Sequence, residues 1–166
     1  MKQVGALALV AAIPALAGAA APGIVSFKDA KKIKSWDAWG DVVSYNIYTD
    51  SILDWRLPEK LDAPVLIGEF HFGAHDRGLF GSGLVNAGSQ EGRAAALKAY
   101  VASALRNPQV VGVHWHQFSD QATSGRFDGE YFQVGWTDIC DRPYPETVKA
   151  LREVGYPLYE TRAAAK

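Results

Sequence analysis

Cysteine is almost missing from this chain: Cys140 is the only one among 166 residues. A lone cysteine forms no internal disulfide, so an exported form must be stable without one. It also rules out a lipid-attachment box near the start of the chain. Charge of either sign in excess is missing too, with 17 Lys and Arg against 18 Asp and Glu. No basic cluster appears, which argues against nucleic acid as a partner. Internal repeats and low-complexity linkers are absent, and no domain boundary shows after residue 25.

What is present begins with a leader. Met1-Lys2-Gln3 carries one positive charge, Val4 to Ala17 is uncharged and apolar, and small residues follow through Ala21. That order reads as a signal peptide over residues 1–21 and a secreted or periplasmic product. A membrane anchor fits less well, because the run is rich in Ala and Gly, broken by Pro14, and short of the roughly 20 apolar residues a bilayer needs. The remaining chain, about 145 residues, is enough for one core. Five Trp and seven Tyr are plentiful.

The hydrophobic pattern predicts alternating helix and strand. Ala30, Ile33 and Trp36 have helical spacing over 28–38, and Gly40 can end that helix. Val42 to Tyr48 is β-branched and aromatic and reads as a strand. A short helix is expected over 51–57, before Pro58, and a second strand over 64–70. A Gly-rich loop, 73–88, leads to Ser89 as N-cap of a helix over 90–106. Ala94, Leu97, Val101, Ala104 and Leu105 form its apolar stripe, and Asn107-Pro108 stops it. Val110 to His116 is the third strand, a second long loop covers 117–143, and Pro145 opens a last helix ending near Gly155. Strands joined through helices imply an α/β fold with a parallel sheet.

Glu69 stands out within this pattern. It ends the apolar strand of Ile67-Gly68-Glu69-Phe70-His71-Phe72-Gly73, at the end of an α/β sheet where loops collect catalytic groups. A carboxylate there is costly to bury unless it is paired or used. The alternative is a strand-end glutamate in a structural ion pair.

Several strings carry a resemblance. Asp41-Val42-Val43-Ser44-Tyr45-Asn46-Ile47-Tyr48, Ile67 to Ala74, Asp76-Arg77-Gly78, His114-Trp115, Ser119-Asp120-Gln121, Gly125 to Glu130 and Asp141 to Pro145 resemble the C-terminal third of β-agarases. These are glycoside hydrolases of family fifty, in the clan that includes β-galactosidases. The resemblance covers about residues 26–161 and implies strands six to eight of a (β/α)8 TIM barrel, incomplete in this chain, with 162–166 a disordered tail. It implies retaining hydrolysis of agar-like galactans without a cofactor, and Glu69 as nucleophile.

A retaining glycosidase needs a second carboxyl as acid/base about 5–5.5 Å from the first. In this clan that group sits in an Asn-Glu pair, and no such pair occurs here. The resemblance thus implies a fragment inactive alone, or a non-catalytic carbohydrate-binding remnant. For substrate binding it points to Tyr45, Tyr48, His71, Trp115, Asp120, Gln121, Arg126 and Asp128. Tyr45 or Tyr48 would hydrogen-bond the nucleophile, and Trp115 would form a sugar platform beside a non-proline cis peptide. His75, His116 and Tyr131 depart from the family pattern. His114-Trp115-His116 also raises a zinc-dependent barrel hydrolase using His114 and His116. A cut barrel would leave open edges on the strands carrying Tyr45 and Trp115, and so favour self-association.

Overall fold

The structure is a computed structural model and describes residues 24–26, 41–58 and 62–165. The expected leader and the helix over 28–38 lie outside the described residues. Four strands form one sheet in the order β1 (Ile24–Ser26), β2 (Val42–Asn46), β3 (Val65–Phe70) and β4 (Val110–Trp115), every pair parallel. The strands therefore follow chain order, with the strand carrying Glu69 between those carrying Tyr45 and Trp115. The first strand, β1, was not foreseen. It pairs with β2, so the edge expected to be open beside Tyr45 is occupied by β1.

Helices α1 (Gln90–Arg106), α2 (Pro145–Gly155) and α3 (Leu158–Ala164) complete the described elements. The Ser89 hydroxyl accepts from the Gly92 N–H at 3.1 Å, and the Asp76 carboxylate accepts from the Gln90 N–H at 2.8 Å. Two of the four free N–H groups of α1 are thereby satisfied. Its inner stripe presents Leu97, Tyr100, Val101 and Ala104 to one face of the sheet. There they enclose Val65, Ile67, Phe70, Val110 and Val113. The Phe70 ring stacks on Tyr100 with centroids 4.2 Å apart. Burying each of these large apolar side chains stabilises the fold by roughly 1.5–3 kcal/mol. Among the described residues, no helix is long and apolar enough to cross a membrane.

Two expectations fail for physical reasons. Residues 51–58 form no helix. Several of their backbone groups are satisfied from outside the segment: the Ile52 N–H donates to Ser103 Oγ, the Asn107 amide donates to the Ile52 and Trp55 carbonyls, and the Leu57 N–H donates to Gln109 Oε1. Those contacts replace the i to i−4 bonds a helix would have made. The end of the chain also differs. Residues 162–164 lie in α3 instead of a disordered tail, because Arg162 is anchored. Its Nη1 donates to the carbonyls of Leu105 at 2.6 Å and Asn107 at 2.8 Å, closing the C-terminal end of α1. Arg162→Ala should therefore lower stability by about 1–2 kcal/mol, since orphaned helix-end carbonyls lose a charged donor. Chemical denaturation of the two proteins checks this, and an unchanged midpoint would contradict it.

Candidate functional site

The position of Glu69 depends on an irregularity in β3. Across to β2, Tyr45 pairs with Ile67 but Asn46 pairs with Glu69; across to β4, Val113 pairs with Ile67 and Trp115 with Phe70. Against β2, β3 carries one extra residue, Gly68, between Ile67 and Glu69, which is a β-bulge. Against β4 it carries one extra between Ile67 and Phe70, after β4 has carried one extra between Val110 and Gly112. A Cβ at Gly68 would lie 2.6 Å from Ser44 Oγ and 3.0 Å from Asn46 Oδ1, so a larger residue would have to displace those two side chains. Strict alternation would place Glu69 with Val65 and Ile67. The bulge corrects this: Val65, Ile67 and Phe70 all lie under α1, while Glu69 joins Ser44 and Asn46 on the face away from the helices.

Glu69 is half-buried and makes no ion pair among the described residues. Its partner is a phenol: Tyr48 Oη donates to Glu69 Oε2 at 2.7 Å. Burial, and then the carboxylate itself, push the Tyr48 hydroxyl well above the usual tyrosine range. Tyr48 therefore keeps its proton and remains a donor at any working pH.

Behind Tyr48 lies His71, its ring 4.7 Å away. His71 is 2 % exposed, and its Nε2 accepts the Leu84 N–H at 2.8 Å, which assigns the ring proton to Nδ1. Burial, reinforced by the neighbouring His116 imidazole, lowers its pKa to about 4. Gly83 lies against the same ring with φ of 75°, and a Cβ there would sit 2.6 Å from Nε2. His71 is thus enclosed by the 73–88 loop and is no sugar contact in this arrangement.

The other residues singled out from sequence separate into three groups. Tyr45 and Trp115 turn to the helix-covered side. Tyr45 packs edge-on against Trp55 at 5.1 Å, and Trp115 packs against Phe70 and Trp136 while its indole N–H donates to the Val134 carbonyl. That placement corrects both the Tyr45 contact with the nucleophile and the Trp115 platform. A non-proline cis peptide lies between His116 and Gln117. Asp120 and Gln121 are braces. Asp120 is buried, accepts from the Gly135 N–H and the Tyr144 hydroxyl, and has its pKa raised by burial against those bonds. Gln121 bridges Glu130 Oε2 and the Phe132 N–H. Arg126 and Asp128 pair at 2.7 Å on the loop surface, with Glu130 3.4 Å from the same guanidinium. Among the described residues no three His, Cys, Asp or Glu side chains come together to hold a metal, so His114 and His116 gain no support as zinc ligands.

Sequence reading missed Arg93. It is fully buried, donating to the carbonyls of Phe72 and Gly135 and to Gln90 Oε1, with its guanidinium over the Trp115 and Tyr144 rings at 5.7 and 5.2 Å. Burial lowers its pKa to about 10, which leaves it charged at neutral pH. It joins both long loops to α1. The available signal was its place four residues before Leu97 on the buried stripe.

With the geometry established, relatives can be compared. No protein-family model matches the chain. β-Agarase B of Vibrio sp. (strain JT0107) is 44 % identical over 126 residues, covering 74 % of this chain and 13 % of that protein. β-Agarase A of the same strain is 44 % identical over 129 residues, covering 73 % and 13 %. The solved structure of an exo-β-agarase superposes with a TM-score of 0.74 at 42 % identity, covering 78 % of this chain and 18 % of that one. A protein named PfGH50B gives 0.74 at 38 % identity, covering 78 % and 19 %.

Over this stretch the chain belongs with the β-agarases of glycoside hydrolase family 50. It spans about an eighth of the length of the two Vibrio enzymes. A β-glucuronidase of Bacteroides uniformis, at 15 % identity and a TM-score of 0.53, shares the fold alone.

The buried His71 makes stability depend on pH in a definite direction. Its folded pKa of about 4 lies below its ordinary value of 6.5. As pH falls below about 6.5 the unfolded chain takes up the proton first. The contribution is full above that pH, declines toward pH 4, and totals about 3 kcal/mol. His71→Gln can keep an acceptor for the Leu84 N–H without titrating, and should flatten that part of the curve. Denaturation midpoints between pH 7 and 4.5 that fall equally for both proteins would contradict the assignment.

Proposed function

We propose that this chain is part of a retaining glycoside hydrolase acting on agarose or a closely related β-galactan, with Glu69 as nucleophile. The observation that carries the proposal is the Glu69 carboxylate at the end of a parallel strand, turned away from the helices and oriented by Tyr48. Sequence kinship with the β-agarases supports the substrate class. In this reading β2, β3 and β4 stand for strands six, seven and eight of a (β/α)8 barrel, and β1 for part of the strand before them. The leader would direct export, giving a secreted or periplasmic product.

The chemistry follows from the two partners. A Glu69 oxygen attacks the anomeric carbon, forming an ester bond to the sugar as the glycosidic C–O bond breaks. The leaving oxygen must take a proton from an acid. Water then attacks the same carbon and releases Glu69. Tyr48 holds the carboxylate in one orientation throughout, and its raised pKa keeps it from surrendering the proton. No cofactor enters this scheme.

The acid is the missing part. Without an Asn-Glu pair in the sequence, the best placed remaining carboxylate is Glu130, which is already engaged by Gln121 and Arg126. The chain alone therefore holds half of the catalytic pair. That supports a second reading, in which it binds carbohydrate without turnover.

An activated substrate tests the nucleophile without needing the acid. 2,4-Dinitrophenyl 2-deoxy-2-fluoro-β-galactoside should leave one fluorogalactosyl group on the Glu69 peptide by mass spectrometry, and none in Glu69→Gln. Agarose itself should not be hydrolysed. Label on another residue, or no label on a folded chain, would overturn the assignment.

A further inference from the structure

Phe127 is 99 % exposed, at the tip of a turn that is internally fixed. The Arg126 N–H donates to the Glu130 carbonyl at 2.7 Å, the Gly129 N–H donates to the Arg126 carbonyl at 3.0 Å, and Gly125 and Gly129 supply the positive φ angles. Phe127 does not pack in the core, so the core gives no reason for a large apolar ring at this tip. Two more exposed aromatics lie on segments linked to this turn by backbone pairing. Phe80 is 83 % and Tyr131 41 % exposed, and each immediately precedes a partner of the parallel bridge between Gly81 and Phe132. That bridge ties the two long loops together beside the site, because the Phe132 ring lies 6.0 Å from His71.

The polar neighbours indicate what such a rim suits. Phe127 lies between Arg126 and Asp128, which pair at 2.7 Å, and Arg126 also faces Glu130 at 3.4 Å. A protein core would surround the ring with apolar side chains. Here the residues on either side of the exposed ring carry paired donors and acceptors, and the local charge is close to balanced. A sugar ring offers the complement: an apolar C–H face for the aromatic and hydroxyls for the guanidinium and carboxylates.

We infer that Phe127, with Phe80 and Tyr131 and the Arg126–Asp128 pair, forms an accessory binding rim for a neutral galactan chain leading to Glu69. The inference rests on the proposed substrate class, but not on Glu69 being the nucleophile. The rim holds a saccharide outside the cleft, by stacking at the ring and hydrogen bonds at its flanks.

The test is calorimetric titration of the full chain carrying Glu69→Gln with an agarose-derived hexasaccharide. Phe127→Ala should weaken binding about tenfold, the scale of one lost aromatic contact. Phe127→Trp should restore it, and the NMR amide signals of residues 125–131 should shift on titration. An exposed ring can be truncated without unfolding the chain, which a thermal melt verifies. Equal affinity in Phe127→Ala, or no binding by a folded chain, would overturn the rim, as would a polypeptide occupying it in place of the saccharide. If the rim binds but Glu69 takes no fluorogalactosyl label, only the nucleophile assignment fails.

Discussion

One extra residue in a strand organises the site. Gly68 has no counterpart in β2, and it advances β3 by one position relative to that strand. Without that step Glu69 would share a face with Ile67, beneath α1, where an unpaired carboxylate is strongly disfavoured. With it, Ile67 and Phe70 both remain in the core and the acid faces the other way. Glycine suits the bulge, because a Cβ there would crowd the Ser44 and Asn46 side chains. Packing on one face and the carboxylate on the other are thus separated next to a single glycine.

The surrounding polar network keeps that arrangement in place. Arg93 crosses from α1 to the carbonyls of Phe72 and Gly135, Asp120 receives Gly135 and Tyr144, and Gln121 receives Phe132 and holds Glu130. Each is buried with its partners satisfied, so each is worth more than a surface contact. Such a network suits a site assembled from long loops. The loops take their positions from Arg93, anchored in α1, and from their own buried polar side chains.

Features governed by local chemistry were legible in the sequence. The bounds of α1 follow from Ser89 and Asn107-Pro108, the start of α2 from Pro145, and the parallel order of the central strands from the crossovers. Glu69 itself was visible as an acid closing an apolar strand. What stayed hidden depends on contacts distant along the chain. The bulge appears only when β3 is aligned with β2, and it reverses the face that simple alternation assigns to Glu69. The coil over 51–58 is fixed by Ser103, Asn107 and Gln109, about fifty residues away. Trp115 was placed toward the sugar by resemblance, and its actual neighbours, Phe70 and Trp136, come from different elements. Asp120 and Gln121 looked like sugar ligands because both are polar loop residues. Burial turns them into braces.

The central claim is that the bulge at Gly68 puts Glu69 on the face opposite the helices, in contact with Tyr48. Nuclear Overhauser contacts from the Glu69 side-chain protons measure this directly in solution. The account predicts cross-peaks to the Tyr48 ring and to Asn46, and none to Leu97 or Tyr100 of α1. Cross-peaks to Leu97 or Tyr100, with none to Tyr48, would place the carboxylate under the helix and contradict it.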